Sequence, residues 1–218
     1  MKDALRSEQN RLREAVIKTD CAIENSHQVT GVDVAYHDQL AFGAAVTIDI
    51  HENAVLRKTQ IQTSGVEEYV PGQFYMREGP VLKQLLADHR PAGPVLVDAN
   101  GILHPRRFGL ASHIGVVLDI VTIGVAKSLL LGQVQERDTD TARITDKGEV
   151  MGMALWLEER ETPIYVSIGH RVSLPTAVAI VRASSWSGYP EPLRLADRLS
   201  KEQKRRFLED GGGADPVH

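Results

Sequence analysis

The chain has 218 residues, of which 42% are hydrophobic and 25% charged, a composition typical of ordinary globular proteins. Its formal net charge of −4 excludes a globally basic nucleic-acid coat protein, so nucleic-acid binding would depend on a local basic groove or on bound cations. The single cysteine, Cys21, excludes an internal disulfide and suits a reducing compartment. The sequence shows neither a signal-peptide pattern nor a membrane-spanning apolar run, so we expect a cytoplasmic protein without membrane contact.

The amino-terminal part predicts a helix followed by three strands. Residues 3–19 place apolar side chains at helical spacing. Strands are predicted over 29–36, 40–50 and 54–62, and the short turns between them favour an antiparallel meander. Asp33 lies in the middle of the first strand. A carboxylate there is costly unless it is paired, binds a cation or faces solvent on a half-exposed sheet.

A turn and a second helix follow the meander. Pro71-Gly72 marks the turn, and Tyr69 lies just before it. Gly79-Pro80 predicts that the helix begins at Pro80, which would place Glu78 beside its amino terminus. Glu78 could simply interact with the helix dipole, and Tyr69 could be a packed aromatic side chain.

The next segment combines an acid, a tight loop and a basic run within ten residues. Val95-Leu96-Val97 predicts a buried parallel strand that carries Asp98 to the edge of the sheet. Asn100-Gly101 then forms a turn, and His104 and Arg106-Arg107 follow. These residue types suit a metal and a phosphate, although Asp98 could be a helix cap and the arginines a solvated face.

The remaining chain predicts a strand–helix–strand unit and later elements. A helix over 108–120 and a strand over 121–127 would bring Lys127 to the same edge as Asp98, unless Lys127 is a surface lysine. Residues 133–150 are predicted to form a loop or a short excursion. Further strands are expected at 151–157 and 164–168, and further helices at 175–183 and 190–207.

This order of elements predicts an α/β fold with a mixed central sheet, an antiparallel three-strand meander plus parallel strands, flanked by helices. It resembles the ribonuclease H-like fold. We expect a single catalytic domain over 1–210 and a disordered tail over 211–218. Three acids on separate elements, Asp33, Glu78 and Asp98, suit a hard divalent cation such as Mg²⁺ or Mn²⁺.

Motifs along nearly the whole chain, from about Gly31 to Leu199, resemble the endonuclease V family, the deoxyinosine 3′-endonucleases. They are Gly31-Val32-Asp33, Tyr69-Val70-Pro71-Gly72, Arg77-Glu78-Gly79-Pro80, Asp98 with Gly101, His104-Pro105-Arg106-Arg107, Gly109-Leu110-Ala111-Ser112-His113, Gly124-Val125-Ala126-Lys127, Gly169-His170-Arg171, Pro190-Glu191-Pro192 and Arg194-Leu195-Ala196-Asp197. The resemblance implies a Mg²⁺-dependent DNA-repair endonuclease, with Mn²⁺ as a possible substitute. It would cleave the second phosphodiester bond 3′ to a deaminated base and leave 5′-phosphate and 3′-hydroxyl ends.

The resemblance also assigns roles to individual residues. It implies that Asp33, Glu78 and Asp98 bind the metal, and that Lys127 and His104 lie near the scissile phosphate. His170 matches a histidine at the same edge of the active site. The other assigned residues are the wedge Tyr69, Val70 and Pro71, the base pocket Gly72, Ala99 and Gly101, and the phosphate contacts Arg106, Arg107 and Arg171.

Two positions depart from the family pattern. Glu68 replaces a proline before the wedge tyrosine, and Ala99 replaces a glycine after the strand acid. We expect these changes to affect pocket geometry and base preference more than the cutting chemistry.

Three other functions stay open at this point. The protein could act on inosine in RNA, or could bind deaminated nucleic acid without cutting it. A Rossmann-type small-molecule enzyme is disfavoured because the sequence has no phosphate-binding glycine loop. We expect a monomer whose partner is inosine-containing nucleic acid.

Overall fold

The structure is a computed structural model that describes residues 9–22, 27–65, 74–158 and 160–211. Its strands are β1 (Gln28–His37), β2 (Leu40–Asp49), β3 (Ala54–Thr63), β4 (Val95–Val97), β5 (Thr122–Ala126), β6 (Gln133–Val134), β7 (Thr141–Asp146), β8 (Glu149–Leu155) and β9 (Ile164–His170). Its main helices are α1 (Phe74–His89), α2 (Leu110–Leu118), α3 (Leu174–Ala183) and α4 (Glu191–Glu209), and Arg13–Ala15 form a 3-10 turn.

All the described strands belong to one mixed sheet, in the order β3-β2-β1-β4-β5-β9-β8-β7-β6. Strands β1, β2 and β3 pair antiparallel, which confirms the predicted meander. Strands β1, β4 and β5 run parallel, with α2 as the connection between β4 and β5. Strand β9 pairs antiparallel with β5. The carboxyl end of β9 therefore lies beside the amino end of β5, on the side of the sheet opposite the carboxyl end of β5.

Helices cover both faces of the sheet. On one face, the α1 residues Val81 and Leu82 and the α2 residue Ile114 pack with Val32 and Val97. The other face carries a second apolar cluster that joins α3 and α4 to the sheet. Its members include Val29, Leu96, Val181, Leu193 and Ala196. Each large apolar side chain that is fully buried contributes roughly 1.5–3 kcal/mol, so the two layers hold the sheet rigidly between them.

Three predicted elements differ from the structure. Residues 9–12 are helical, but the chain leaves the helix after Ala15, so the predicted helix over 3–19 is wrong for its last turn. Helix α1 begins at Phe74 and contains Pro80. Pro80 removes one backbone hydrogen bond without ending the helix, which continues to His89 and packs Val81 and Leu82 on the sheet. Residues 133–150 contain β6 and β7, so the predicted loop is wrong there. Strand β6 is exposed and β7 alternates in burial only over its first four residues, so neither has a clear strand pattern in the sequence.

A notch in the sheet lies beside the end of β4. Strand β4 is short and ends at Val97, which pairs with Val32, whereas β1 continues to His37. Asp33 and Asp98 are the next residues on these two parallel strands, so both carboxylates are brought to the notch. Within the described residues, no helix has both the length and the apolarity needed to cross a membrane.

Candidate active site

Three carboxylates surround one cavity at the notch. Asp33 comes from β1, Asp98 follows β4, and Glu78 reaches the cavity from α1. The cavity has a volume of about 250 Å³, and the apolar residues that complete its lining are Val32, Val34, Leu82 and Val97. Because α1 begins at Phe74 and not at Pro80, Glu78 lies in the second turn of the helix and not beside its amino terminus, where the sequence predicts it. We call Asp33, Glu78 and Asp98 the acid cluster.

The surroundings of the acid cluster disfavour the ionised form of two of its carboxyl groups. Burial, followed by the charges of Asp33 and Asp98, raises the pKa of Glu78 from 4.5 to about 8. Burial is also the main cause that raises the pKa of Asp33, and the nearby Asp197 and Asp98 carboxylates add to it. Like charges around a cavity favour a bound cation, and carboxylate oxygens are the ligands that Mg²⁺ and Mn²⁺ prefer.

The acids fit a divalent ion by donor type and charge, but they do not form a closed cage. Within the described ranges, no three His, Cys, Asp or Glu side chains are grouped closely enough to form a complete metal site. Lys127 lies against one of the acids instead. Its Nζ atom is 2.5 Å from Asp98 Oδ2. Metal binding would therefore require the carboxylates to draw together and the ammonium group to shift.

Lys127 is held at the mouth of the site by its position after β5. It follows Ala126, and its ammonium group lies between Asp98 and the ring of Tyr189, whose centroid is 5.0 Å from Nζ. The side chain is 53% exposed, so the charge stays in contact with solvent and with any approaching phosphate. The predicted meeting of Lys127 and Asp98 at one edge is thus observed.

The loop after Asp98 is anchored firmly to the sheet. Gly101 donates its N–H to Ser167 Oγ at 2.9 Å, and Ile102 donates to the Ile168 carbonyl at 2.8 Å. A Cβ atom on Gly124 would come within 2.6 Å of the Ala99 carbonyl oxygen, so this glycine allows the loop to lie directly on β5. A Cβ atom on Gly101 would meet the Ile168 carbonyl, so Gly101 packs against β9 and is not among the described residues that line the two cavities at Asp98.

A second, larger cavity adjoins the acid cluster at Asp98. It has a volume of about 520 Å³, within the usual range for small-molecule and base-sized ligands. The residues around it include Tyr75, Ala99, Asn100, His104, Arg106, Phe108, Leu110 and Lys127. Ala99 does not have a positive φ, so its methyl group requires no backbone strain and adds to the cavity wall.

His104 faces this larger cavity as a neutral ring. Burial, followed by the charge of Arg106, lowers its pKa from 6.5 to about 4. The backbone N–H of Arg106 donates to His104 Nδ1 at 3.3 Å, so the ring proton of this tautomer is on Nε2. His104 can therefore donate a hydrogen bond at neutral pH, but it does not contribute a positive charge.

Two expected site residues lie at the other end of the strands, away from the acid cluster. His170 pairs with Thr122 at the start of β5, roughly 16 Å along the strand direction from Lys127, so its expected position at the same edge of the active site is wrong. It accepts a hydrogen bond from the Ile17 N–H and approaches Asp119 at 3.5 Å. Arg171 pairs with the same Asp119, so it lies at that end of the strands and not at the acid cluster.

Arg107 also has a structural partner. Its guanidinium group contacts Asp146 at 2.8 Å and Glu149 at 3.7 Å, which ties the loop after Asp98 to the β7–β8 hairpin. Arg107 is engaged in this ion pair, whereas Arg106 lines the larger cavity, and a phosphate contact of Arg107 stays a prediction. The expected wedge, Tyr69, Val70 and Pro71, lies outside the described residues, as do Gly72 and Glu68.

Helix α4 contributes two residues to which the sequence patterns assign no role, although Asp197 ends one of the family motifs. Ser200 donates a hydrogen bond to Asp33 Oδ2 at 2.5 Å. Asp197 lies one turn before it, raises the pKa of Asp33 and pairs with Lys201 at 2.6 Å. The sequence does contain one signal for Ser200. It lies four residues after Ala196, so it is a polar residue within the apolar stripe that contains Leu193 and Ala196.

A mixed sheet with acids at a notch, a lysine and a base-sized cavity defines a nuclease-type protein with a ribonuclease H-like fold. The family can also be stated. A model of the Endonuclease V family matches residues 10–198, so the chain belongs to the endonuclease V family and is a hydrolase of nucleic acid.

Individual relatives agree with this assignment. Endonuclease V from Thermofilum pendens is 40% identical over 198 residues, which cover 89% of this chain and 85% of the relative. The crystal structure of human ENDOV is 31% identical and has a TM-score of 0.86, covering 95% of this chain and 100% of that one. Ciona intestinalis endonuclease V, in complex with a 24mer DNA containing an inosine followed by a ribo-adenosine, is 30% identical, with a TM-score of 0.82 and coverages of 94% and 98%.

Proposed function

We propose that the protein is a Mg²⁺-dependent endonuclease that recognises deoxyinosine in DNA and cleaves the second phosphodiester bond 3′ to it. Its products would carry 5′-phosphate and 3′-hydroxyl ends. The observation that carries this proposal is the acid cluster at the notch, which adjoins the base-sized cavity through Asp98. The Ciona relative, in complex with inosine-containing DNA, supports the choice of substrate.

Asp33, Glu78 and Asp98 would hold the cation. When bound, a divalent ion lowers the pKa of a coordinated water and neutralises charge that develops on the phosphate. Burial, followed by the charges of Asp33 and Asp98, raises the pKa of Glu78 to about 8, and a bound cation would oppose this rise. With the cation in place, all three acids would be ionised at neutral pH.

Lys127 and His104 would act on the phosphate. The Lys127 ammonium group can move between Asp98 and a non-bridging phosphate oxygen, because the side chain is long and half exposed. His104 would donate a hydrogen bond from Nε2 to the scissile phosphate or its neighbour, with no need to gain or lose a proton. Both side chains line the larger cavity, so the same groups would position the nucleic-acid strand and stabilise the transition state.

The larger cavity would receive the flipped base. A base edge cannot be read inside the helical stack, so the deaminated nucleotide must be extruded before it is recognised. Tyr75, Phe108 and Leu110 give the cavity apolar and aromatic walls on which a base can pack. Asp98 belongs to both cavities, which links recognition of the base to the position of the cut backbone.

Inosine in RNA is the second candidate substrate. The DNA bound to the Ciona relative contains a ribo-adenosine after the inosine, so a ribonucleotide is accommodated there in that protein. The two candidates differ in the 2′-hydroxyl group of the nucleotides near the cut. The fold and the acid cluster are equally compatible with both.

Cleavage of end-labelled oligonucleotides tests the proposal. One duplex carries a single deoxyinosine, its control carries adenine, and a third oligonucleotide carries inosine in RNA, each with Mg²⁺ or with EDTA. We expect Mg²⁺-dependent nicking one nucleotide beyond the inosine, at the second 3′ bond, and intact control DNA. Equal cutting of the adenine control, or undiminished cutting in EDTA, would contradict the proposal. Cleavage confined to the RNA would select the second candidate.

A further inference from the structure

Ser200 is a fully buried polar residue whose hydroxyl group reaches the acid cluster. It lies on α4, has no exposed surface, and contacts Asp33 Oδ2 at 2.5 Å. The same hydroxyl lies 3.0 Å from the carbonyl oxygen of Asp197, one turn earlier in the helix. A serine at this depth among Leu193 and Ala196 costs stability unless its hydroxyl is used.

The hydroxyl proton can satisfy one of these two acceptors at a time. A back-bond to a carbonyl in the preceding turn is common for serine in helices and needs no special arrangement. The contact with Asp33 is the shorter one, and a hydrogen bond to a carboxylate is stronger than one to a neutral carbonyl. The geometry therefore favours donation to Asp33.

Helix α4 is held too closely on β1 for this contact to be incidental. A Cβ atom on Gly31 would be 2.3 Å from the Pro192 carbonyl carbon, so the start of α4 lies directly on the strand. One residue before Ser200, the Leu199 carbonyl accepts a side-chain hydrogen bond from Gln60 of β3 at 3.1 Å. These two attachments fix the helix on either side of Asp33 and set the distance between Ser200 and the carboxylate.

A fixed hydrogen bond on one oxygen orients the whole carboxylate. The last torsion of an aspartate is broad and nearly two-fold, so an unsupported carboxylate samples many orientations. Ser200 holds Oδ2 and leaves Oδ1 as the oxygen that can turn toward the cavity. Residues that orient metal ligands in this way commonly change metal affinity by about 10–100-fold when they are replaced.

We propose that Ser200 is a positioning residue that orients Asp33 for binding a divalent cation. The inference rests on the proposed function for the role of Asp33, and it adds α4 to the elements that build the site. The residue acts through Asp33 and does not itself contact the nucleic acid or the metal.

The test is a titration of Ser200→Ala with Mn²⁺ in the absence of nucleic acid, in which electron paramagnetic resonance measures the bound Mn²⁺. Ser184→Ala is the matched control, because Ser184 is also fully buried and makes the same kind of back-bond, to Val181 at 3.1 Å, but lies away from the acid cluster. We expect the Kd for Mn²⁺ to rise about 10-fold in Ser200→Ala and to stay unchanged in Ser184→Ala.

Mg²⁺-dependent nicking of the inosine duplex provides the second readout. The Mg²⁺ concentration for half-maximal nicking should rise about 10-fold in Ser200→Ala, while kcat at saturating Mg²⁺ stays within about two-fold. Equal Mn²⁺ affinity of Ser200→Ala and wild type would overturn the inference. If the affinity shifts but the wild type does not nick the duplex, the proposed function fails while the positioning role stands.

Discussion

Two buried polar clusters in this protein solve the same problem in different ways. The first joins His89 on α1 to hydroxyl groups of the meander, with Thr47 at 2.7 Å from Nε2 and Thr59 at 2.8 Å from Nδ1. Thr30 extends it through a 2.7 Å contact with Thr47. We call these four residues the histidine–threonine network. Each ring nitrogen of His89 has a neutral partner, so this network is closed.

The acid cluster is open by comparison. Its members repel one another across a cavity, and the pKa of Glu78 rises to about 8 as a result of burial and of that repulsion. A closed cluster stabilises the fold by itself, whereas an open cluster of like charges is stabilised when a cation enters. The difference separates a structural polar cluster from a functional one without reference to any relative.

The largest predicted effect follows from removing one acid. Asp98→Asn should reduce nicking of the inosine duplex by about 1,000-fold or more, because it weakens both the metal site and the link to the larger cavity. Binding of the duplex, measured by fluorescence anisotropy in EDTA, should be retained or slightly strengthened, because the substitution removes a negative charge near the phosphates. Asp88→Asn, on the exposed side of α1, is the control and should cut normally. Retained cutting by Asp98→Asn would remove Asp98 from the chemistry.

The second prediction concerns how much the acid cluster lowers the free energy of unfolding of the metal-free protein. The folded-state pKa of Glu78, about 8, lies above its ordinary value of 4.5, so the stability due to its neutral form is present below pH 4.5 and is lost as pH rises through 8. Glu78→Gln, which stays neutral, should therefore be more stable than wild type by about 2–4 kcal/mol at pH 9 in EDTA. Chemical denaturation should show this gain shrinking toward pH 4.5, and a loss of stability at pH 9 would contradict it.

A substitution that removes a polar group from the histidine–threonine network should destabilise the protein, in contrast to Glu78→Gln in the acid cluster. Thr47→Val removes the shared partner of His89 and Thr30, and should lower the free energy of unfolding by about 1–3 kcal/mol at pH 7. Nicking activity per folded molecule should be unchanged. Thr63→Val, at the end of β3, is the control substitution. A Thr47→Val protein as stable as the wild type would show that the network is not closed by these contacts.

The smallest predicted effect is the acid sensitivity of the same network. Burial, followed by the charge of Arg57, lowers the pKa of His89 from 6.5 to about 4. The neutral ring thus contributes stability that is present above pH 6.5 and is lost as pH falls toward 4. Between pH 6.5 and 5, wild type should lose about 1 kcal/mol more than His89→Gln, measured by urea denaturation. Parallel pH profiles of the two proteins would contradict this assignment.

The sequence predicts the local elements of the site well. The meander, the parallel strands and the loop after Asp98 each have a clear local pattern, so Asp33, Asp98 and Lys127 are found at one edge as expected. Ala99 also has a simple account, because its backbone does not have a positive φ and its methyl group only narrows the cavity. Its effect on base preference stays a prediction, as do the cytoplasmic location and the monomeric state.

Long-range pairing limits what the sequence can predict. His170 ends a strand, but the pattern of β9 does not reveal that it runs antiparallel to β5, which takes His170 to the far edge. The ion pair of Arg107 depends on a hairpin that follows some 40 residues later and has weak strand patterns. Ser200 is missed, and Asp197 is given no role although it ends a family motif, because polar residues on an amphipathic helix are usually solvated. The packing of α4 on β1 makes both residues part of the site.

The most direct test of the account is to locate a metal ion in crystals grown with Mn²⁺. An anomalous difference map should show a peak in the notch, with carboxylate oxygens of Asp33 and Asp98 at about 2.1 Å and the Lys127 ammonium group displaced from Asp98. Nicking activity in the same Mn²⁺ buffer would accompany it. A protein that cuts the inosine duplex while the notch has no peak, or with Lys127 still on Asp98, would contradict the account.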